Sequence, residues 1–122
     1  MEMNSCDKGR GAEMLAACYL RARGHRIWKA NWRWGKKELD LITLHRNELV
    51  IVEVKARMDN AVNDPSEVVD PAKQRNMVLA ADAFIRLYGC CRPTRFDVIA
   101  VIYRGSDVDI EHIENAFYPV VD

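Results

Sequence analysis

Three consecutive strand-like runs with short connections constrain the fold of this chain more than any other feature. They cover residues 25–34, 38–45 and 48–56, and each is rich in apolar residues that favour strands. Gly35 follows the first run and an Arg-Asn pair at 46–47 follows the second, so both connections are compatible with tight turns. Strands joined this closely pair antiparallel, because a parallel pair needs a crossover of a dozen or more residues. The sequence therefore predicts an antiparallel meander.

Helical patterns stand on both sides of these runs. Residues 8–23 are rich in helix formers and end in arginines before a glycine, which predicts a first helix. Asp70 supplies an N-cap for a second helix that extends to residue 88, with proline in its first position and glycine after its last. Residues 95–103 and 108–113 predict two later strands, the first of them buried. The order αβββαβ, with a further short strand, predicts an α/β fold with a mixed sheet flanked by helices.

Composition and charge limit the function classes. The 122 residues, 49% of them hydrophobic, predict one domain over residues 1–122. Lys plus Arg and Asp plus Glu number 18 each, so a nucleic-acid contact must come from a local basic patch. The sequence has no signal-peptide pattern and no run of roughly 18 apolar residues, which predicts a soluble cytoplasmic protein. The four cysteines lack metal-site spacing and are expected to be reduced thiols: Cys6, Cys18, Cys90 and Cys91.

Acidic and basic residues concentrate near one end of the second and third strands. Side chains alternate along a strand, so Glu38 and Asp40 share one face of the second strand, and Glu53 and Lys55 share one face of the third. Counting outward from the turn at 46–47 places Asp40 opposite Glu53. Carboxylates at the cross-strand distance of about 5 Å repel each other, and a hard divalent cation such as Mg²⁺ would relieve that repulsion. The pattern predicts a metal site.

The combination of two acids and a lysine is suited to phosphodiester hydrolysis. Lys55 can orient or help to deprotonate an attacking water and offset phosphate charge. The alternative is that a strand carries Glu53 and Lys55 simply as a solvated face or as protection of an edge. A third acid, Glu13, projects along the same side of the first helix as Ala16 and Leu20, so its carboxylate points toward apolar surface and needs a partner.

The first strand carries two different faces. Trp28, Trp32 and Trp34 share one face, where a core role is favoured over base stacking. The other face is predicted to carry a polar and basic stripe that either contacts phosphates or is solvated: Lys29, Asn31 and Arg33.

Several other charged residues have more than one interpretation. Lys73, in the first turn of the second helix, could reach the site if that helix packs across the sheet. Arg57 opens a polar loop predicted at 57–69, where a phosphate contact is slightly favoured over solvation. Asp97 is expected to be structural, pairing with Arg95 or a helix end. The three histidines lack metal-site spacing and receive no role: His25, His45 and His112.

The motifs match a known family over nearly the whole chain. They are Gly-Ala-Glu at 11–13, Asn-Trp-Arg at 31–33, Glu-Leu-Asp-Leu-Ile at 38–42, Val-Glu-Val-Lys-Ala-Arg at 52–57, Lys73, and Arg-Phe-Asp at 95–97. In these motifs the chain resembles the YraN family of small bacterial proteins. That family is regarded as a set of predicted endonucleases similar to archaeal Holliday-junction resolvases, within the PD-(D/E)xK superfamily.

The resemblance implies a restriction-endonuclease-like core and assigns site residues. Asp40 and Glu53 would be the metal ligands, Lys55 the catalytic lysine and Glu13 the helix-borne acid that completes the site. Family members usually have glycine directly before the Glu-x-Asp run, where this chain has Lys37. The residues expected to contact nucleic acid are Asn31, Arg33, Arg57 and Lys73.

Together these features predict a nuclease dependent on Mg²⁺ or Mn²⁺ that acts on DNA, with branched or structured DNA as a candidate substrate. The alternative is a non-catalytic nucleic-acid-binding or adaptor module that keeps the nuclease fold. Balanced charge argues against tight duplex binding by a single copy, whereas a homodimer would double a modest basic patch. Dimerisation is a hypothesis at this point.

Overall fold

The computed structural model describes residues 11–58 and 69–119, which form two helices and one five-stranded sheet. The elements, in chain order, are α1 (Ala12–Ala22), β1 (Arg26–Trp34), β2 (Lys37–His45), β3 (Glu48–Met58), α2 (Pro71–Tyr88), β4 (Thr94–Arg104) and β5 (Asp107–Phe117). The predicted α/β class and element order are confirmed. The final strand is longer than the predicted 108–113, and β3 continues through Arg57, which the sequence placed in a loop. The predicted helix start at 8–10 and most of that loop lie outside the described residues.

The strands follow each other across the sheet in the order β1-β2-β3-β4-β5. The first three form the predicted antiparallel meander, and β5 pairs antiparallel with β4. The central pair, β3 and β4, is parallel because α2 provides the crossover between them. The sheet is therefore mixed, as predicted, with β3 in the middle.

The register between β2 and β3 matches the counting from the turn. Leu41 lies opposite Val52. In the connecting turn, Arg46 and Asn47 have φ values of 50° and 70°, so both adopt the left-handed conformation of a type I′ turn. That turn fixes the register as far as Leu41 and Val52, the pair next to positions 40 and 53.

Each face of the sheet buries one helix. On one face, α1 contributes Ala16, Ala17 and Leu20 to a core with alternate residues of β2, β3 and β4. On the other face, α2 contributes Met77, Ala80, Ala81 and Phe84 to a core with the intervening residues. The two cores explain why β3 and β4 are apolar on both faces.

The faces of β1 differ from the prediction because the strand contains an irregularity. Its register with β2 shifts between Ile27 and Lys29, as one extra residue does in a β-bulge. Trp28 and Lys29 consequently both reach the ring of Tyr88, at 5.8 Å between ring centroids and 5.5 Å from Nζ to the ring centroid. Lys29 therefore lies on the tryptophan face, and the predicted stripe that grouped it with Asn31 is wrong for this residue.

The tryptophans split between core and surface. The rings of Trp28 and Trp32 pack edge-on against Phe84, with centroids 4.9 and 5.3 Å away. Trp34 is 44% exposed. The core interpretation is confirmed for the first two.

Two further sequence expectations are tested by the structure. Cys18 is disulfide-bonded, whereas Cys90 and Cys91 are free, so the expectation of four reduced thiols is wrong for Cys18. Within the described ranges 11–58 and 69–119, neither helix is long and apolar enough to cross a membrane.

Candidate active site

The candidate site lies where regular pairing between β2 and β3 ends. The last pair in the ladder is Leu41 with Val52. Beyond it, the side chain of Asp40 replaces the backbone partner: its Oδ2 accepts a hydrogen bond from the backbone N–H of Val54 at 2.9 Å. Asp40 is thereby fixed beside the strand that carries Glu53.

The environment of Asp40 also breaks the predicted alternation of β2. Leu39 and Ile42 belong to the core under α2, whereas Leu41 belongs to the core under α1. Ile42 is three positions after Leu39, so strict alternation would place the two side chains on opposite faces. The alternation predicted for the second strand therefore fails between Leu39 and Ile42.

Glu53 is the buried centre of the site. Its side chain is 6% exposed, and its Oε2 lies 3.6 Å from the Nζ atoms of both Lys55 and Lys73. Burial and then the nearby Asp40 carboxylate raise the pKa of Glu53, while the two lysines oppose that shift. The structure therefore brings Asp40, Glu53 and Lys55 together as the sequence predicted.

Lys73 enters the site from α2. The side chain of Asp70 caps this helix by accepting a hydrogen bond from the backbone N–H of Lys73 at 2.8 Å. The cap and Pro71 fix the first turn against the sheet, and the lysine ammonium extends to Glu53. The expectation that Lys73 could reach the site is confirmed.

Glu13 approaches the site from the first turn of α1. Partial burial, then the carboxylates of Asp40 and Glu38, raise the pKa of Glu13, and a hydrogen bond with the Asn31 side chain opposes the shift. Glu13 thus has the partner that its direction required, and it belongs to the same acidic neighbourhood as Asp40. Arg33 lies at the margin of this group of carboxylates, with its Nη2 3.9 Å from Glu38 Oε1.

Arg57 stands apart from its predicted position. It pairs in register with Ile102 of β4, so it is a strand residue rather than the first residue of a loop. The residues brought together are Glu13, Asn31, Asp40, Glu53, Lys55 and Lys73.

The donor set is suited to one class of metal. Asp40 and Glu53 offer carboxylate oxygens, and Mg²⁺ needs only one or two protein carboxylates because it keeps waters and takes phosphate oxygens. Among the residues that the structure describes, no group of three or more His, Cys, Asp and Glu side chains is arranged to hold a metal ion. Zinc, which takes three or four protein ligands, is not suited to this pair.

A second polar cluster, which the sequence reasoning missed, is buried under α1. It contains all three histidines. The rings of His25 and His45 stack with centroids 4.0 Å apart, and His112 lies 6.2 Å from His25. His112 Nε2 is 2.7 Å from an oxygen of Asp97, which also accepts two hydrogen bonds from Arg95 at 2.9 Å. The predicted pairing of Asp97 with Arg95 is confirmed.

The bulge in β1 explains why spacing alone did not reveal this cluster. Regular pairing such as Ala30 with Leu41 would place His25 opposite Arg46, whereas the shifted pair Arg26 with Leu44 places it opposite His45. A one-residue insertion has no signature in residue spacing.

Comparison with known proteins gives a consistent family. The model of the uncharacterised protein family UPF0102 matches residues 12–101. A UPF0102 protein of Phocaeicola vulgatus is 40% identical over 113 residues, which is 93% of each chain. A relative in Bacteroides thetaiotaomicron is 44% identical over 111 residues, covering 91% of this chain and 92% of its own. A third, in Chlorobium chlorochromatii, is 41% identical over 121 residues, or 94% of each chain. On this match, the chain belongs to the uncharacterised protein family UPF0102.

Proposed function

We propose that this protein is a metal-dependent nuclease of the PD-(D/E)xK type, similar to the YraN family, that hydrolyses phosphodiester bonds in DNA. The observation that carries the proposal is the position of Glu53: a buried carboxylate next to Asp40, with two lysine ammonium groups 3.6 Å from one of its oxygens. Burying charged groups in this way carries a desolvation penalty, so the cluster is not expected if its role is only to stabilise the fold. It offers acidic oxygens for a cation and positive charge for a phosphate within one small volume.

Asp40 and Glu53 would hold the cation, Mg²⁺ or Mn²⁺. When bound, the ion supplies Lewis-acid polarisation of the phosphate and compensates the charge that develops on it. Asp40 is already oriented for this role by the Val54 N–H, which occupies one of its oxygens and leaves the carboxylate fixed at the strand end.

The lysines act on the phosphate and on the water. Lys55 would orient a water for in-line attack on phosphorus, and Lys73 would neutralise a non-bridging phosphate oxygen. Attack forms a bond from the water oxygen to phosphorus and breaks the opposite bond from phosphorus to the sugar oxygen. That oxygen leaves as a hydroxyl after taking a proton, and the other strand end keeps the phosphate. Glu13, beside Asp40, would accept a proton released by the water.

The proposal extends to location and partners. We place the reaction in the cytoplasm, on DNA that is branched or otherwise structured. A homodimer would double the basic surface of a chain whose formal net charge is zero. Light scattering tests this part, and a monomeric mass at working concentration would contradict it.

The first experiment combines metal binding with cleavage. Calorimetry with Mg²⁺ and Mn²⁺ should show binding to the wild type that is lost in Asp40→Asn/Glu53→Gln. Labelled linear, single-stranded and four-way-junction DNA should then be cut by the wild type and not by Lys55→Ala. Arg92→Ala is the matched control, because it removes an exposed charge just before β4, at the opposite end of β3 from Glu53. Absence of site-dependent metal binding together with absence of cleavage would overturn the proposal.

One observation favours the alternative of a non-catalytic nucleic-acid-binding or adaptor module. The hydrogen bond from Val54 to Asp40 extends the β2–β3 ladder, which is a structural role in itself. In such a module, Lys55→Ala would leave DNA binding and every measurable activity unchanged, and substitutions of Asp40 would act on stability alone. In a nuclease, Lys55→Ala abolishes turnover while folding and binding persist.

A further inference from the structure

The turn between β1 and β2 carries an aromatic side chain and several cations at one end of the sheet. Gly35 and Lys36 form a two-residue turn, because Trp34 pairs with Lys37 in the ladder. Gly35 has a φ of 63°, as the first central residue of a type II′ turn requires, and glycine adopts that conformation without strain. The tip of this hairpin is therefore tight, and it holds Trp34 in a fixed position.

Of the three tryptophans, Trp34 is the one that lies outside the core. The rings of Trp28 and Trp32 pack against Phe84, whereas Trp34 is 44% exposed. Because β1 is an edge strand, no further strand in the described part of the chain covers this side of the hairpin. Exposed tryptophans are enriched where proteins bind partners, since the indole offers a large apolar surface with a polar edge. The Trp34 ring is thus available to a ligand.

Three cations accompany Trp34 in the hairpin. Lys37 Nζ is 5.8 Å from the centroid of the Trp34 ring. Lys36 is exposed in the turn, and the side chain of Arg33 is 70% exposed. The next acid along the chain, Glu38, lies 3.9 Å from Arg33. The tip therefore combines an aromatic ring with positive charge, which is the combination that binds single-stranded nucleic acid.

Trp34 lies on the same face of the sheet as Glu53. Trp32 packs against the core under α2, and Trp34 follows it by two residues, so its side chain points to that face as well. On β3, Ile51 belongs to the same core and Glu53 follows it by two residues. The ion pair of Glu53 with Lys73 agrees with this placement, because Lys73 comes from α2 itself. A ligand can contact both positions without crossing the sheet.

The tip and the candidate site also lie at the same end of the sheet. Lys37, the partner of Trp34, is three residues before Asp40 on β2, or about 10 Å along the strand. From β1 to β3 there are two strand spacings, which again make about 10 Å. Trp34 is therefore about 14 Å from Glu53 across this face, a distance that about four stacked nucleotides of one DNA strand span.

The charge of the tip argues against a second copy of this chain as its partner. A dimer with twofold symmetry that joined two tips would bring together the cations of both copies, namely Arg33, Lys36 and Lys37. Repulsion between like charges disfavours that contact, whereas the phosphates of DNA attract the same cations. DNA is therefore the occupant that matches both the ring and the charge.

We infer that Trp34 stacks on an unpaired base of the DNA, within about four nucleotides of the phosphate that is cut, while Lys36 and Lys37 contact the phosphates beside that base. The inference rests on the proposed nuclease function and adds a contact that selects the substrate. In a continuous duplex, the neighbouring bases cover both faces of each base. Trp34 therefore finds an open base in a single strand, a flap or a branch point, where no unstacking energy is required.

The test measures binding of the full-length protein to labelled single-stranded DNA and to labelled blunt duplex, by fluorescence anisotropy with EDTA present to prevent cleavage. Trp34→Ala should weaken binding to the single strand by at least about fivefold, the lower end of base-stacking contributions, and leave duplex binding unchanged. Lys36→Ala should weaken both, because both carry phosphates. Tyr118→Ala is the matched control, since it removes an aromatic side chain that is 71% exposed beyond β5, and it should behave as the wild type.

Tryptophan emission reports the stacking directly. Single-stranded DNA should quench part of the tryptophan fluorescence of the wild type, because a stacked base quenches an indole. Trp34→Phe keeps an aromatic ring, so it should retain most of the binding and lose the quenching, since Trp28 and Trp32 lie against Phe84. Equal quenching of Trp34→Phe and the wild type would contradict the stacking.

The outcomes separate this inference from the proposed function. If the wild type cuts DNA with Mg²⁺ or Mn²⁺ but Trp34→Ala binds single strands as tightly as the wild type, the stacking site is wrong and the nuclease stands. If Trp34→Ala shows the expected loss while the wild type cuts no DNA, the stacking site stands and the nuclease fails. Absence of binding to single-stranded DNA overturns the inference. A change from dimer to monomer in Trp34→Ala, seen by light scattering without loss of DNA binding, also overturns it and makes the tip an interface between copies.

Discussion

At the residue scale, the candidate site is defined by one buried carboxylate, Glu53, whose charged partners come from other elements as well as from its own strand. Asp40 on β2 accepts a hydrogen bond from the backbone of Val54, the residue after Glu53 on β3. Lys73 on α2 forms an ion pair with Glu53. Substitutions in this site can therefore measure separately how charge repulsion and hydrogen bonding contribute to the free energy of unfolding.

Two substitutions of Asp40 should differ in their effect on stability. Asp40→Asn keeps a side-chain oxygen for the Val54 N–H and removes the repulsion with Glu53, so its free energy of unfolding should equal or exceed that of the wild type. Asp40→Ala leaves that N–H without its partner and should lower the free energy of unfolding by about 1–2 kcal/mol. Urea denaturation without metal measures both. Equal values for the two variants would contradict the structural importance of this bond.

Substitution of the buried Asp97 should lower the free energy of unfolding far more than substitution of Asp40. It is 0% exposed and accepts hydrogen bonds from Arg95 and from the backbone of Asn115, and it is 2.7 Å from His112. Burial alone would raise its pKa, but the hydrogen bonds from His112 and Arg95 hold the pKa of Asp97 below its ordinary value. Asp97→Ala leaves the Arg95 guanidinium buried without this partner, so stability should fall by about 3–5 kcal/mol. A loss below about 1 kcal/mol in urea denaturation would contradict this account.

At the element scale, α2 has two functions, since it is the crossover that makes β3 and β4 parallel and it delivers Lys73 to the site. Its beginning was predictable, because an Asp-Pro pair followed by apolar residues at helical spacing is a strong start signal. The sequence could only suggest that Lys73 contacts Glu53, because the angle of the helix across the sheet depends on how Phe84 packs against Trp28 and Trp32.

The cap of α2 should couple helix stability to the position of Lys73. Asp70→Ala removes the 2.8 Å bond to the Lys73 N–H and should lower the free energy of unfolding by about 1 kcal/mol. On the proposed nuclease function, Asp70→Ala should also reduce cleavage, because the first turn of α2 would no longer be fixed. Asp82→Ala is the control on the same helix, since it removes an exposed ion pair with Arg86 and should cost at most about 0.5 kcal/mol. Equal losses in the two variants would show that the cap has no special role.

At the scale of the whole molecule, the histidine cluster should set the acid sensitivity of the fold. Burial, then His45, His112 and Arg95, lower the pKa of His25 from 6.5 to about 4, with Asp97 opposing the shift. The unfolded chain therefore binds a proton in the window between these values that the folded chain does not. His25 consequently makes stability fall as the pH decreases from 6.5 toward 4.

This dependence is measurable by urea denaturation at two pH values. Between about pH 8 and about pH 5 the free energy of unfolding should fall by about 2 kcal/mol through His25 alone. His25→Asn should reduce that fall, whatever its effect at the higher pH. An identical pH dependence in the variant and the wild type would exclude His25 as the cause. Asp97 adds to the loss only at lower pH, because its depressed pKa begins to matter below the ordinary range of aspartate.

Much of the molecule was predictable because the relevant signals are local. The turn at 46–47 sets the register, and counting from that turn along the sequence pairs position 40 with position 53. What could not be predicted depends on irregularity: the bulge near Trp28 moves Lys29 to another face and aligns His25 with His45. Both effects arise from one extra residue in β1. The position of that residue depends on side-chain packing, which cannot be inferred from the amino-acid pattern.

The central position of β3 has a consequence for the living cell. β3 has β2 on one side and β4 on the other, so Glu53 and Lys55 gain their second neighbouring strand only after residues up to 104 have left the ribosome. A chain that stops translation within α2 would still carry Asp40, Glu53, Lys55 and Lys73, but β3 would lack one neighbour. In truncated products of interrupted synthesis the candidate site would thus lack one neighbouring strand, because the strands that complete the sheet follow α2.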